Sequence, residues 1–329
     1  MGPNAKGAAL ALISFGIFAT HDVIVKFLGG RYDAFQIVFF SVLFSFPLVT
    51  LMMVRETEAH TLRPRHPWWT ALRTVSVVVT GVSAFYAFST LTLAETYAIM
   101  FSAPLLITIL AIPILGERVG PRRWAAVVVG LVGVIVVLRP GAGGLGIGHL
   151  AALVAAMGGA LASIIVRKIG KEERSDVLML YPMLANLAVT GAALPFVYQP
   201  VQPGDIAMMA LMSILAFAAM LTLIAAYRTG EAAIVAPMQY SQILWAAVYG
   251  ALFFNETSDI ATGTGAVIII ASGLYIVLRE SQPNASENTP VSETKTRIET
   301  GTFLRVGPLL RSERRRQKQT AAPGMNNQT

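Results

Sequence analysis

The chain has 329 residues, of which 55% are hydrophobic and 13% charged, with mean hydropathy +0.63 and a formal net charge of +7. A soluble domain carries about 25% charged residues, so a water-surrounded globule is excluded and an all-α membrane protein is expected. There is no cysteine, which excludes a disulfide framework and any thiolate metal or redox site.

About 20 apolar residues cross the hydrocarbon core as a helix. Ten such runs are predicted, at 7–25, 34–54, 69–91, 94–115, 121–138, 147–166, 177–197, 206–227, 231–254 and 261–278. In lipid each run must satisfy its own backbone, so each is a helix. The first is too long for a signal-peptide core and no small-residue cleavage site follows it, so no cleavable signal is expected. Connections such as Leu91 to Ala94 are very short, so consecutive spans turn back as antiparallel hairpins.

Cations set the orientation. With the N-terminus inside, the inner loops hold Lys6, Arg55, Arg63, Arg65, Arg73, Arg118, Arg122, Arg123, Arg167, Lys168, Lys171, Arg174 and Arg228. The outer loops hold Lys26, Arg31 and Arg139. Both termini are therefore expected in the cytoplasm, with lipid as the surrounding partner and a bacterial inner membrane as the location.

The first span contains GIFATHDVIVKF (16–27). His21 lies about 21 Å along it at 1.5 Å per residue, in the outer part of the hydrocarbon. Ionisable residues at that depth must face a cavity, a partner or water. Two readings stand. Asp22 and Lys26 are four apart and can pair on one face, with His21 bonded to a neighbour. Alternatively, His21 or Asp22 lines a cavity as a proton-coupling or substrate group, for which histidine titrates in the right range.

Glu95 and Glu231 open the fourth and ninth spans, where the helix dipole favours them. Glu117 and Glu256 close the same spans, and capping of the following helix is the expected reason for their presence. Pro104 and Pro237 interrupt those spans and are candidate hinges or static kinks. The ninth span carries the densest polar and aromatic cluster, Gln239, Tyr240, Ser241, Gln242 and Trp245. With Tyr86, Tyr97 and Ser102 opposite, these are candidate substrate-binding residues for a planar ligand, or else interhelical packing. Asn186 and Tyr181 in the seventh span are weaker candidates. Beyond Arg279 the chain turns polar, with RSERRRQK at 311–318, and residues 280–329 are expected to be a disordered cytoplasmic tail drawn loosely to anionic lipid.

The halves resemble each other. GAALALISFGIFATHDVIVK (7–26) lies over GHLAALVAAMGGALASIIVR (148–167) without a gap. LGERVGPRRWAAVVVGLVGVIVVLR (115–139) lies over FNETSDIATGTGAVIIIASGLYIVLR (254–279) with one insertion, matching Glu117 to Glu256 and Gly133 to Gly273. Five spans per half is odd, so the second half enters the membrane from the other side. The expected organisation is an inverted repeat, 6–140 and 147–279, with a midplane site between rocking halves, as in secondary transporters.

The run FYAFSTLTLAETYAIMFSAPLLITILAIPILGERVGPRRWAAVVVGLVGVIVVLRPG (85–141) resembles the EamA domain of the drug/metabolite transporter superfamily, through the Pro104 helix, its Gly116–Glu117 close and the Gly-rich fifth span ending Arg139–Pro140. A second copy is visible in AYRTGEAAIVAPMQYSQILWAAVYGALFFNE (226–256). The resemblance implies ten spans, cytoplasmic termini, alternating access and a cavity lined mainly by the third, fourth, eighth and ninth spans, with parts of the first and sixth. The spacing of AYRTGEAAIVAPMQYSQILWA is similar to the branch holding riboflavin and S-adenosylmethionine carriers. One departure is the aligned second-span stretch QIVFFSVLF, where Ser41 stands near the place at which many relatives carry arginine.

No GxxxxGK[ST] or HExxH occurs, so ATP-driven transport and an intramembrane zinc protease are not expected, and neither is any cofactor, metal or nucleic acid. The expected function is secondary transport of a small metabolite, with riboflavin uptake first and S-adenosylmethionine, amino-acid or purine transport or export as alternatives. A proton is the candidate coupling ion. A lipid-modifying enzyme or a non-transporting scaffold is the reading from another class.

Overall fold

Each apolar run is helical for the reason lipid demands, and several helices end at glycine or asparagine, at Gly30, Gly116, Gly170, Gly230 and Asn255. The computed structural model describes residues 2–54, 63–117, 119–139, 145–170, 172–230, 232–257 and 259–280. Glu231, the loop cations Arg55, Arg118 and Lys171, Pro140 and the tail from 281 lie outside the described residues. Among the described residues there is no strand.

The helices are α1 (Pro3–Gly29), α2 (Ala34–Val54), α3 (Pro67–Thr90), α4 (Leu93–Met100), α5 (Ala103–Leu115), α6 (Pro121–Leu138), α7 (Ile147–Ile169), α8 (Ser175–Val197), α9 (Pro203–Thr229), α10 (Ala232–Val235), α11 (Ser241–Phe254) and α12 (Ile260–Glu280). Seven stretches, counting α4 and α5 as one, are long and apolar enough to cross a membrane, and Ala34–Thr50 and Ile260–Ile276 are shorter apolar helices.

Two of the predicted spans are not continuous. The fourth breaks between Met100 and Ala103, and Pro104 sits in the first turn of the new helix α5. A proline costs nothing there, because that turn has no partner for its missing N–H. The ninth is a short α10, a 3₁₀ segment Ala236–Tyr240 containing Pro237, and then α11. Both candidate hinge prolines thus mark real breaks in the helical ladder.

The two broken spans also end alike. Gly116 closes α5 with φ 71° and Asn255 closes α11 with φ 51°, both left-handed. Glu117 N–H then bonds Ala111 O at 3.3 Å, and Glu256 N–H bonds Gly250 O at 2.9 Å. In this left-handed helix ending the αL residue reverses the chain and lets the next amide reach back. It swings each glutamate away from the following helix. The expectation that these carboxylates cap that helix is therefore corrected. Glu117 Oε1 accepts from Arg167 Nη2 of α7 at 2.7 Å. Glu256 pairs with Lys26 of α1 at 2.7 Å and caps α4 by accepting from Leu93 N–H at 3.0 Å.

Lys26 and Arg167 are matched residues in the aligned halves, as are Glu256 and Glu117. Each ion pair therefore joins the first helix of one half to the fourth span of the other, at opposite ends of the bundle. The helix packing follows the same exchange. α1 lies along α9 and α3 along α7, while α2 pairs with α8 and α6 with α12. The largest cluster of buried apolar residues threads between the halves, from Ile24, Val25 and Leu28 through Phe85, Phe88, Tyr97 and Phe101 to Met209, Met212, Ala246 and Ile269.

Candidate functional site

The bundle has one end that carries the N-terminus and an opposite end rich in polar closures. At that opposite end, beside Lys26–Glu256, Tyr32 donates to Asp205 Oδ2 at 2.6 Å, and Arg31 adds a contact to Asp205 at 3.1 Å. The Asp205 carboxylate holds the Tyr32 phenol above its usual pKa, so it remains a donor. The Gln36 side chain donates to Gln199 O and accepts from Gln199 N–H, both at 2.8 Å, tying α2 to the start of the α8–α9 connection. His149 Nε2 meets Glu95 Oε1 at 2.9 Å, while Thr92 caps α4 by accepting from Glu95 N–H.

Between α2, α3, α8 and α9 lies a cleft of about 720 Å³, counting its part open to solvent. α8 and α9 follow each other in the chain but hardly touch, because α2 packs against both. Near mid-bundle the cleft is lined by Ser41 and Ser45 of α2, Asn186 of α8 and Ser213 of α9. Towards the N-terminal end it is lined by Val49, Arg73, Leu178 and Met220. Met179, Met183 and Phe217 supply soft apolar walls. Ser213 is occupied, donating to Ser41 O at 3.0 Å. Asn186 is 1% exposed, and its Oδ1 has no donor among the described residues. Arg73, 6% exposed, donates to Leu178 O at the start of α8. No carboxylate lines the cleft among the described residues.

This cleft lies between the second, third, seventh and eighth spans rather than the expected third, fourth, eighth and ninth, and of the sequence candidates Asn186 alone lines it; the others fall elsewhere. His21, Asp22, Tyr97 and Gln242 come together, each 0% exposed. His21 Nδ1 lies 2.7 Å from Asp22 Oδ1, Tyr97 donates to Asp22 Oδ2, and Gln242 Nε2 donates to the Tyr97 hydroxyl at 3.2 Å. Neighbours on one helix thus bond each other despite pointing about 100° apart, and Lys26 turns to Glu256 rather than to Asp22. Tyr240 stands edge-on to Phe101 at 5.1 Å and its hydroxyl end presses on Gly273. Trp245 packs on Gly16 of α1 and beside Tyr249, filling a helix gap. Ser102 and Ser241 sit at the two breaks, with hydroxyl oxygens buried and unpartnered among the described residues. Tyr86 and Gln239 are half-buried, and Tyr181 is exposed.

Sequence reasoning missed Arg73, counting it only as a loop cation. Its signal was present: it stands two turns inside α3, where a cation needs a cavity or a partner. Ser41 was noticed only as a departure from a pattern. Among the described residues no cluster of His, Asp and Glu could hold a metal ion.

A family model described as the EamA-like transporter family matches the chain twice, over residues 5–139 and 146–278. The chain belongs to this family. As an EamA-like transporter it is a multi-pass membrane protein and not an enzyme. It is 28% identical over 276 residues to an S-adenosylmethionine uptake transporter of Rickettsia bellii, covering 84% of this chain and 94% of that one. It is 26% identical to a riboflavin transporter of Rhizobium johnstonii, covering 84% and 93%. To a pseudopaline exporter of Pseudomonas aeruginosa it is 24% identical, covering 81% and 94%. A solved crystal structure shares the fold with a TM-score of 0.55 at 17% identity, over 82% of this chain and 96% of that one.

Proposed function

We propose that this EamA-like transporter is a secondary carrier that takes up a small, neutral, planar metabolite, riboflavin first, across a bacterial inner membrane. It works as ten spans in two inverted halves, 6–140 and 147–279, with both termini cytoplasmic. The exchange of helices between halves and the matched Lys26–Glu256 and Arg167–Glu117 pairs support that arrangement. The cleft then faces the cytoplasm, and the opposite, polar-closed end is the periplasmic gate. Rocking of the halves about the broken fourth and ninth spans exchanges the two.

The observation that carries the substrate reading is the cleft's chemistry. Among the described residues its walls are thioethers, Phe217 and hydroxyls, with one cation and no carboxylate. Asn186 Oδ1 offers an acceptor suited to an imide or hydroxyl proton. Such a lining favours a neutral or anionic ligand over a cation, whose charge would find no counter-ion. A second reading, uptake of S-adenosylmethionine, is favoured by four Rickettsia relatives at 26–28% identity.

Expression in a riboflavin-requiring bacterium without its own importer is expected to restore growth on limiting riboflavin. Asn186→Leu, at equal membrane abundance, is expected to weaken rescue roughly ten- to hundredfold, since an orphaned polar contact costs about 1–3 kcal/mol. Loss of rescue in Trp245→Ala but not in Asn186→Leu would move the site to the ninth span. Absence of rescue by the parent protein would discard riboflavin, and uptake of labelled S-adenosylmethionine by the same cells would then decide the second reading.

A further inference from the structure

We propose that His21 and Asp22 form the proton-binding site that drives transport, an inference that rests on the secondary-carrier reading above. A buried titratable pair in a membrane helix is costly, and it persists only where partners satisfy it. Here the satisfaction comes from other helices. Tyr97 accepts its bond from Gln242, so its own proton goes to Asp22 Oδ2. The short line between His21 Nδ1 and Asp22 Oδ1 shares one proton.

The position of the partners makes this more than a structural lock. Tyr97 is in the last turn of α4, immediately before the break at Phe101–Ser102. Gln242 is in the first turn of α11, immediately after the 3₁₀ segment. The pair on α1 therefore reads the state of both broken spans, one from each half. Flexing at either break shifts Tyr97 relative to Asp22. A carboxylate that loses a hydroxyl donor takes up a proton more readily. Proton binding and helix rearrangement then favour each other, as linkage requires. The proton is taken from water at one face, held on the His21–Asp22 line, and returned to water at the other face.

The surroundings leave the pair in charge of this site. α3 presents the Phe85 ring edge-on to His21 at 6.1 Å, and its ionisable residues are Arg73, bonded to Leu178 O, and Tyr86. α4 adds Glu95, held by His149. α11 adds Tyr249, bonded to Thr20 at 3.2 Å, and the 3₁₀ segment adds Tyr240 against Phe101. α2 and α10 contain no titratable side chain, and those of α9, Asp205, Tyr227 and Arg228, lie at its ends. Lys26, one turn further along α1, is held by Glu256.

The test uses the full chain in proteoliposomes, with labelled riboflavin and S-adenosylmethionine as probes. Counterflow without a gradient first establishes which probe is carried. With that probe, an interior one pH unit more alkaline is expected to give about tenfold accumulation for one proton per molecule. Asp22→Asn is expected to reduce the ratio of gradient-driven accumulation to counterflow roughly tenfold. Accumulation indifferent to the gradient, or an undiminished ratio in Asp22→Asn, would overturn the proposal. If neither probe shows counterflow, the substrate reading fails, and the proton site is judged by ¹⁵N NMR of histidine-labelled protein in bilayers. With the pH stepped from about 5 to 8, a signal lost in His21→Gln is expected to respond, and to move in Tyr97→Phe. A His21 signal fixed across that range would overturn the site.

Discussion

Arg167→Ala is expected to destabilise the protein by about 3–5 kcal/mol, the cost of breaking a buried ion pair by removing one partner. The side chains of Arg167 and Glu117 are only 3% and 6% exposed. Removing the guanidinium takes a charge-assisted partner from the buried Glu117 carboxylate at the end of α5, where the helix dipole is already unfavourable to it. Thermal unfolding in detergent would show the loss. Adding Glu117→Gln to Arg167→Ala is expected to recover part of it, since the second change removes the buried negative charge. Strictly additive losses in that double-mutant cycle would mean that the pair contributes no coupling. The matched change, Lys26→Ala, is expected to cost less, about 1–3 kcal/mol. Its side chain and that of Glu256 are 12% and 14% exposed, and Glu256 keeps the Leu93 amide as a partner.

The spans were legible because lipid leaves an apolar run one choice. The pairing of Glu117 with Arg167 was half legible. Alignment matched the two glutamates and the two terminal cations, but each ion pair joins residues of opposite copies, which a one-dimensional alignment does not express. Prolines were ambiguous in the same way. Pro47, Pro113, Pro182 and Pro195 all lie inside helices that continue through them, whereas the breaks occur at Pro104 and Pro237. A membrane helix can carry a proline when its neighbours satisfy the freed carbonyl, so composition alone cannot separate the two outcomes. His21 and Asp22 were legible as misfits, yet their partners Tyr97 and Gln242 sit far along the chain and were assigned to substrate. The cleft was hidden almost completely, Asn186 being its one lining residue among the sequence candidates. It exists because α8 and α9, though consecutive, hardly touch, and its lining of serine, methionine and valine looks like any lipid-facing or packing surface.

Gly7→Leu is expected to separate the ends of α1 and α9 and to cost about 3 kcal/mol or more, at the upper end of what overpacking does in a close-packed interior. A Cβ at position 7 would lie 2.6 Å from Gly230 Cα and 2.7 Å from Gly230 N, with Ala226 O at 3.1 Å. All three are backbone atoms, so no side chain can rotate out of the way. Small residues that let backbones approach this closely are the usual device for joining helices in lipid, where apolar burial alone provides no drive. The contact lies at the N-terminal end of the α1–α9 pairing, so its loss is expected to loosen the pairing from that end. Gly263→Ala is the internal control. It meets nothing within 4 Å and lies in the regular helix α12, so alanine there is expected to be neutral or to stabilise by up to about 1 kcal/mol through helix propensity. Unfolding curves of the two variants in the same detergent should therefore move in opposite directions or diverge strongly. If Gly7→Leu unfolds with the parent, the two backbones do not approach at that end, and the exchange of first helices between the halves loses one of its fastenings.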